Sequence, residues 1–424
     1  METIFTKIKM ILADKSLRRR IIFVIGALAV FRLFAAIPIP GVDQIKLSQF
    51  FAGNDFWGLL NIFSGGGLSN LSIVMLGVGP YITSSIIMQL LTMMFPKLKQ
   101  MYHEEGELGR KKFTLYSRLL TLPLALIQSF SFILLLQKQG VLDSGLGMLG
   151  LVNNTIIITA GSILLMWVGE LMTEFGIGNG TSLIIFAGIV SRIPTVISQL
   201  YYNFDKSDIA LYLAFLVVSL VIILCVVIVT EAERPIPVTY AKRVRGNRVF
   251  GGVSTYLPLR VNQAGVIPII FALSILLFPQ MIFKFLEGAS NATVAMVAGK
   301  FSEILANGWF YGIAYFILVF LFTYFYTAVT FDPDNIAKNL QNNGAFIPGV
   351  RPGESTSEYV TKILTRITLV GATFLGFIAV LPLIMKGITG ITSLAIGGTA
   401  LLIVVSVVID LIKKIEAQIT MREY

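Results

Sequence analysis

Ile209-Ala-Leu-Tyr-Leu-Ala-Phe-Leu-Val-Val-Ser-Leu-Val-Ile-Ile-Leu-Cys-Val-Val-Ile-Val-Thr230 runs for 22 residues without an Asp, Glu, Lys, Arg or His. A hydrocarbon layer of about 30 Å takes about 20 helical residues to cross, and lipid offers the backbone no hydrogen-bond partner, so such a run reads as a membrane helix. Nine similar runs surround it, at 19–37, 74–95, 114–136, 155–173, 182–200, 263–286, 308–330, 366–385 and 393–412. The composition agrees. Apolar residues make up 55% and charged residues 13% of 424, with mean hydropathy +0.82, where an ordinary soluble domain carries about 25% charge. The expectation is an all-α polytopic membrane protein of ten transmembrane helices surrounding a path.

Several chemistries lack raw material. The one cysteine, Cys225, sits mid-run, where a packed small hydrophobe is expected, and no disulfide can form within the chain. The one histidine, His103, lies in the charged stretch 97–118, where a solvated side chain is expected. Metal sites and serine–histidine or cysteine–histidine catalysis are thereby disfavoured, and neither a cofactor nor an enzymatic activity is expected. The first run follows Arg18, Arg19 and Arg20 as a signal peptide would, but it is too long for an h-region and ends in Pro38-Ile-Pro-Gly41 without a small-x-small site, so it reads as retained.

Basic residues set the orientation. They cluster before the first run (Lys7 to Arg20), between the second and third (Lys97 to Arg118), between the sixth and seventh (Arg234 to Arg260) and between the eighth and ninth (Lys338 to Arg366). The positive-inside rule then places both termini and these loops in the cytoplasm. The formal charge of +10 is mostly topology. Ten runs divide into two sets of five, about residues 1–200 and 201–424, with cytosolic loops at about 231–261 and 331–362 in the second. An odd number per half inverts the second relative to the first.

Coupled carriers place ionisable groups at membrane depth. Here only Arg32, Glu170 and Glu174 come close, all near the ends of runs, where snorkelling or pairing is the expected role. Three other features stand out. Phe63-Ser-Gly-Gly-Gly-Leu-Ser-Asn-Leu-Ser72 carries three successive glycines, each costing a helix about 1 kcal/mol; a re-entrant loop and a mobile gate both fit. Ile236 to Phe250 reads as β-prone stretches around a Gly246-Asn247 hairpin turn, and Gly344 to Glu354 holds two Pro-Gly turns before a capping box of Ser355 and Glu358. These ordered turns favour a docking surface. Polar groups also stripe two runs: Ile82, Ile86 and Gln89 on the second, and Asn262, Val266, Ile270 and Ser274 on the seventh. Helix packing by itself accounts for most such stripes.

Taken in order, Phe23-Val-Ile-Gly-Ala-Leu28, Ile37-Pro-Ile-Pro-Gly41, Phe63-Ser-Gly-Gly66, Gln89-Leu-Leu-Thr92, Gly176-Ile-Gly-Asn-Gly180, Tyr240-Ala-Lys-Arg243, Gly265-Val-Ile-Pro268, Gly344-Ala-Phe-Ile-Pro-Gly-Val-Arg-Pro-Gly-Glu354 and Gly397-Gly-Thr399 resemble the SecY family of protein-conducting channels over nearly the whole chain. The resemblance implies an hourglass pore between inverted halves, opening across the membrane for secreted chains and sideways for membrane helices. It implies a pore ring of Val78, Ile82, Ile185, Ile270 and Ile403, a plug formed by Phe63, Ser64, Gly65, Gly66, Gly67, Leu68, Ser69, Asn70, Leu71 and Ser72, and a lateral gate at Ile86, Gln89, Asn262 and Ser274. Lys242, Arg243, Arg245, Arg248 and Arg351 match the family's contacts for the SecA motor ATPase and the ribosome. SecE and SecG small subunits, signal sequences, unfolded polypeptides and membrane lipids are the other implied partners, in a bacterial plasma membrane. Two departures are visible: Pro235 stands where relatives carry a basic residue, and Val78 replaces a usual isoleucine. Set against this are an inverted-repeat carrier for an uncharged or lipidic solute and a scaffold without transport, which would not need the glycine-rich segment.

Overall fold

The computed structural model describes residues 14–43, 46–47, 66–68, 70–103, 105–138, 140–142, 147–191, 193–202, 209–240, 243–245, 248–250, 254–286, 292–389 and 397–423. Its helices begin where a short polar side chain or a proline can serve the first turn. Asp14 accepts from Ser16 N at 2.8 Å to start α1 (Lys15–Ala36), Asn179 caps α6 (Gly180–Val190), and Asn307 caps α11 (Gly308–Thr330). Pro80 stands at the head of α2 (Gly79–Met94), where its missing N–H costs nothing. Between and after these lie α3 (Pro96–His103), α4 (Gly106–Lys138), α5 (Met148–Phe175), α7 (Ile193–Tyr202), α8 (Ile209–Glu231), α9 (Ile267–Leu286), α10 (Ala292–Ala306), α12 (Pro333–Asn342), α13 (Glu354–Thr389) and α14 (Gly397–Glu423).

Two groups of helices form. α4 packs between α2 and α5, with α1 against α5 and α6; α9 packs on α10 and α11, α11 along α13, and α14 on α13 and α8. The groups meet where α9 crosses to α2 and α4 and where α14 packs on α6. The apolar surface faces outward as well as inward. α8 exposes Leu213, Leu216, Leu220, Leu224 and Ile228 along its length while Ile222 and Val226 are buried, the distribution expected of a helix bathed in lipid. Four helical stretches among the described residues are long and apolar enough to cross a bilayer. Beyond the helices, β1 (Glu233–Tyr240) pairs antiparallel with β4 (Ser254–Arg260) and, at its far end, with β5 (Ala345–Phe346), while β2 (Arg243–Arg245) pairs with β3 (Arg248–Phe250). The register closes on Arg245 opposite Arg248, and the expected turn residues Gly246 and Asn247 lie outside the described residues.

Helix occupies most of the described residues of each expected run, with instructive differences, while residues 192 and 393–396 lie outside the described residues. Residues 74–78 form successive turns, because Gly77 adopts φ +58 and the helix waits for Pro80. The fifth run is two helices: α6 ends at Val190 with a turn at Ser191, and α7 begins at Ile193 with Pro194 in its first turn, where a missing N–H costs nothing. α10 was not foreseen; hydropathy alone does not separate a short apolar helix from a loop. Ser355 does not cap α13, which starts at Glu354 behind Gly353 (φ +104); Thr356 and Ser357 donate instead to Gly353 O. Cys225 is exposed beside Leu224, turned about 100° from buried Val226. A run that is apolar all round gave no hint of which face would be covered.

Candidate functional site

The five aliphatic residues that the resemblance assigns to a ring come together. Val78, Ile185, Ile270 and Ile403 are buried in one apolar cluster and Ile82 packs against it. They arrive from four different elements: the head of α2 (Val78 and Ile82), α6, α9 and α14. Since α2 and α6 belong to one helix group and α9 and α14 to the other, these five branched side chains, which offer no hydrogen bond, belong to a large apolar cluster that spans both groups.

One helix shows what lies on either side of it. Along α6, Asn179, Ser182 and Leu183 line a cavity of about 280 Å³; Ile185 follows in the aliphatic cluster; then Ala187, Gly188 and Ser191 meet Arg32 and the glycine-rich segment. The cavity wall, one residue of the apolar cluster and the contact with Gly66 succeed one another within 13 residues. The cavity is also lined by Asn262, Gln263, Ser406 and Asp410. Leu183, Val266 and Val407 line the cavity and belong to the aliphatic cluster, so the two share a wall.

Of the glycine-rich stretch, Phe63, Ser64, Gly65 and Ser69 lie outside the described residues. The remainder is anchored rather than loose. Ser72 donates from N and Oγ to Gly67 O at 2.9 and 3.0 Å. Ile39 N donates to Leu71 O at 2.9 Å, Ile73 N to Ile37 O at 3.0 Å, and Asn70 Nδ2 to Ala35 O at 3.4 Å, stitching the segment to the end of α1. Leu68 and Leu71 are fully buried against Phe132, Ile133 and Ile158 of α4 and α5. Leu71 holds φ +41, a conformation costing a branched residue about 1 kcal/mol or more, which these bonds and contacts offset. Ile73, the residue after the segment, packs on both this cluster and the larger one that contains Val78, Ile185, Ile270 and Ile403.

The expected gate residues are placed less simply. Ile86 is buried on α2, and Ser274 on α9 donates to Ile270 O at 2.9 Å. Asn262 precedes α9 instead of sitting on it, so the stripe from 262 to 274 is helical only from Ile267. Gln89 Oε1 and Asn262 Oδ1 are buried and find no protein partner, so no bond joins them. On the other surface, Arg351 is exposed, Arg243, Arg245 and Arg248 fall on the β2–β3 hairpin, and Lys242 lies outside the described residues.

The residues that hold the segment in place were less legible beforehand. Gly161 on α5 lies so close to Ile73 that a Cβ there would meet its carbonyl; next to it, Ser162 Oγ donates to Gly77 O at 2.9 Å, and Asn154 Nδ2 donates to Pro40 O at 3.2 Å. The adjacent small pair Gly161-Ser162 inside an apolar run was the available signal. Of the ionisable residues, Glu170 is paired as expected, accepting from Arg118 Nε of α4 at 2.7 Å, and Glu174 is exposed.

Comparison with known proteins agrees with this geometry. The family model described as SecY matches residues 72–412. A protein translocase subunit SecY of Mycobacterium leprae is 42% identical over 428 residues, covering 96% of each chain. A solved structure of a protein conducting channel superposes with TM-score 0.65 at 19% identity, covering 96% of this chain and 93% of that one. Sec61 from a canine ribosome–channel complex gives 0.62 at 18%, with the same coverage. A polytopic helical protein whose two helix groups close on an aliphatic cluster, matched over four fifths of its length by one family model, this chain belongs to the SecY family.

Proposed function

We propose that the chain is the protein-conducting channel of the general secretion pathway, passing unfolded polypeptides across the bacterial plasma membrane and releasing membrane-spanning segments sideways into lipid. The observation that carries this reading is the order along α6, from polar cavity through aliphatic cluster to covering segment. A ring of Val78, Ile82, Ile185, Ile270 and Ile403 wets poorly and so resists ions, yet makes no directional bond that would select among passing side chains. The segment ending at Ser72 covers it at rest. The seam of α9 with α2 and α4 is the lateral gate: a signal sequence with about ten Leu-like residues gains roughly 3–6 kcal/mol on reaching lipid, more than an interhelical hydrogen bond of about 0.6–2 kcal/mol could oppose. The two five-helix halves divide near residue 200, and both termini and the basic loops are cytoplasmic.

The chain acts as a conduit. It has no Walker motif, so energy arrives through partners: the SecA motor on the β2–β3 hairpin and the Arg351 loop, or a ribosome, the partner of the canine Sec61 assembly. SecE and SecG complete the membrane complex. A secreted chain halted in mid-export, carrying a photoreactive residue in its mature part, should cross-link to Ile82 and Ile270. Adducts confined to lipid-facing Leu220, with neither ring residue labelled, would overturn the reading.

A further inference from the structure

Arg32 is a charged residue in the last turns of an apolar helix, α1, and the ring, the gate and the docking loops make no use of it. Its guanidinium is half-buried, and Nη2 donates to Ala187 O of α6, 155 residues away. That carbonyl belongs to the last turn of an 11-residue helix, the end where unpaired carbonyls collect and the macrodipole is negative. It also lies just before the turn at Ser191, where α6 ends within the fifth expected span. Irregular backbone at membrane depth persists only where protein satisfies it, and here Ser191 N and Oγ bond Ala187 O and Gly188 O at 3.1 and 2.9 Å while Arg32 supplies the cation.

The same guanidinium touches the covering segment. Gly66 holds φ +85, and a Cβ added there would lie 3.4 Å from Arg32 Nη1, 3.9 Å from Ser191 Oγ and 4.0 Å from Gly188 O. Gly66 thus occupies a notch whose walls are Arg32 and the end of α6. Three separate parts of the chain converge on one charge: α1, the broken end of α6, and the point where the covering segment enters its anchored portion.

We propose that Arg32 is the positioning residue for the channel seal: by capping the broken end of α6 it builds the notch that seats Gly66 and holds the segment closed over the ring. The inference rests on the conducting-channel reading above. A polypeptide entering the ring pushes the segment out of the notch without disturbing α6.

The test uses the full chain, purified with whatever small membrane subunits accompany it, in planar bilayers of phosphatidylethanolamine and phosphatidylglycerol. Resting potassium conductance is read without substrate, alongside export of a strongly hydrophobic signal sequence. Arg32→Gln should raise resting conductance roughly fivefold to thirtyfold, the factor expected for a lost cation at a helix C-terminus, with export of the strong-signal substrate retained. Arg32→Lys, which keeps the charge and loses the fork, should fall between Arg32→Gln and the parent. Gly66→Ala leaves Arg32 and α6 untouched but strains the backbone in the notch; it should leak similarly, and the double variant should leak no more than about twice the larger single variant, because both open one latch. A tight Arg32→Gln channel, a leak that tracks the unfolded fraction on gel filtration, or single effects that multiply in the double variant would each overturn the proposal. A tight Arg32→Gln channel beside intact cross-linking at Ile82 and Ile270 removes only this latch; loss of that cross-linking in the parent chain removes the channel reading itself.

Discussion

Among the described residues, nearly all buried polar side chains of the first helix group are matched, Gln89 excepted, and the other unmatched ones lie in the second half. Ser84 Oγ donates to Ser117 O at 2.5 Å, Ser129 and Thr159 share a hydroxyl bond at 3.0 Å, Ser162 reaches Gly77 O, and Arg118 pairs with Glu170. Among the described residues, the buried side-chain atoms without a protein partner are Gln89 Oε1 on α2, which meets α9, and then Asn262, Gln263, Tyr311, Tyr315 and Ser406 in the second half. Asn262, Gln263 and Ser406 line the cavity. On the proposed channel reading, the difference separates what stays assembled from what parts. Helices of one group are stapled by specific bonds, whereas α9 meets α2 and α4 without such bonds from Gln89 or Asn262, so parting that seam forfeits packing that lipid or a signal helix can replace.

The comparison can be broken most severely inside the first group. Gly161→Val drives a side chain into the Ile73 carbonyl and should cost about 3 kcal/mol, read as loss of folded protein in detergent melting; an unchanged melting profile would show that the contact yields freely. Arg118→Leu strands Glu170 and should cost about 1–2 kcal/mol, below the range for a fully buried pair because Arg118 is 46% exposed. The Arg118→Leu, Glu170→Gln double variant should recover part of that loss in the same melting assay.

At the seam the expected sign reverses. Gln89→Leu or Asn262→Leu removes a polar atom that has no protein partner, so each should leave the closed state equally stable or tighten it by about 1 kcal/mol. Export of weakly hydrophobic signal sequences should then fall roughly fivefold while strong signals pass unaffected. A rise in weak-signal export would mean that these side chains hold the gate shut. The smallest structural effect belongs to Arg351→Glu on the exposed loop: stability within about 0.5 kcal/mol of the parent, with motor-driven export impaired. A melting shift larger than that would give Arg351 a structural role.

Hydropathy decided that the chain crosses a membrane many times, because lipid forbids unsatisfied backbone and so each span must announce itself as a long apolar run. The described residues of the ten runs are largely helical for that reason, and the β2–β3 pairing was legible because a two-residue turn restricts its own sequence. The five ring residues came from family resemblance; no spacing joins Val78 to Ile403, 325 positions later. What only the tertiary structure decided were relations between distant segments: that these five share one cluster, that the glycine-rich stretch is bonded to α1 and seated against α5 from Gly67 onward, that Cys225 faces outward, and that Arg32 reaches the broken end of α6. Periodicity reports which side of a helix is apolar, but a helix that is apolar all round has no such side. Its covered face is chosen by the neighbours that the fold brings to it.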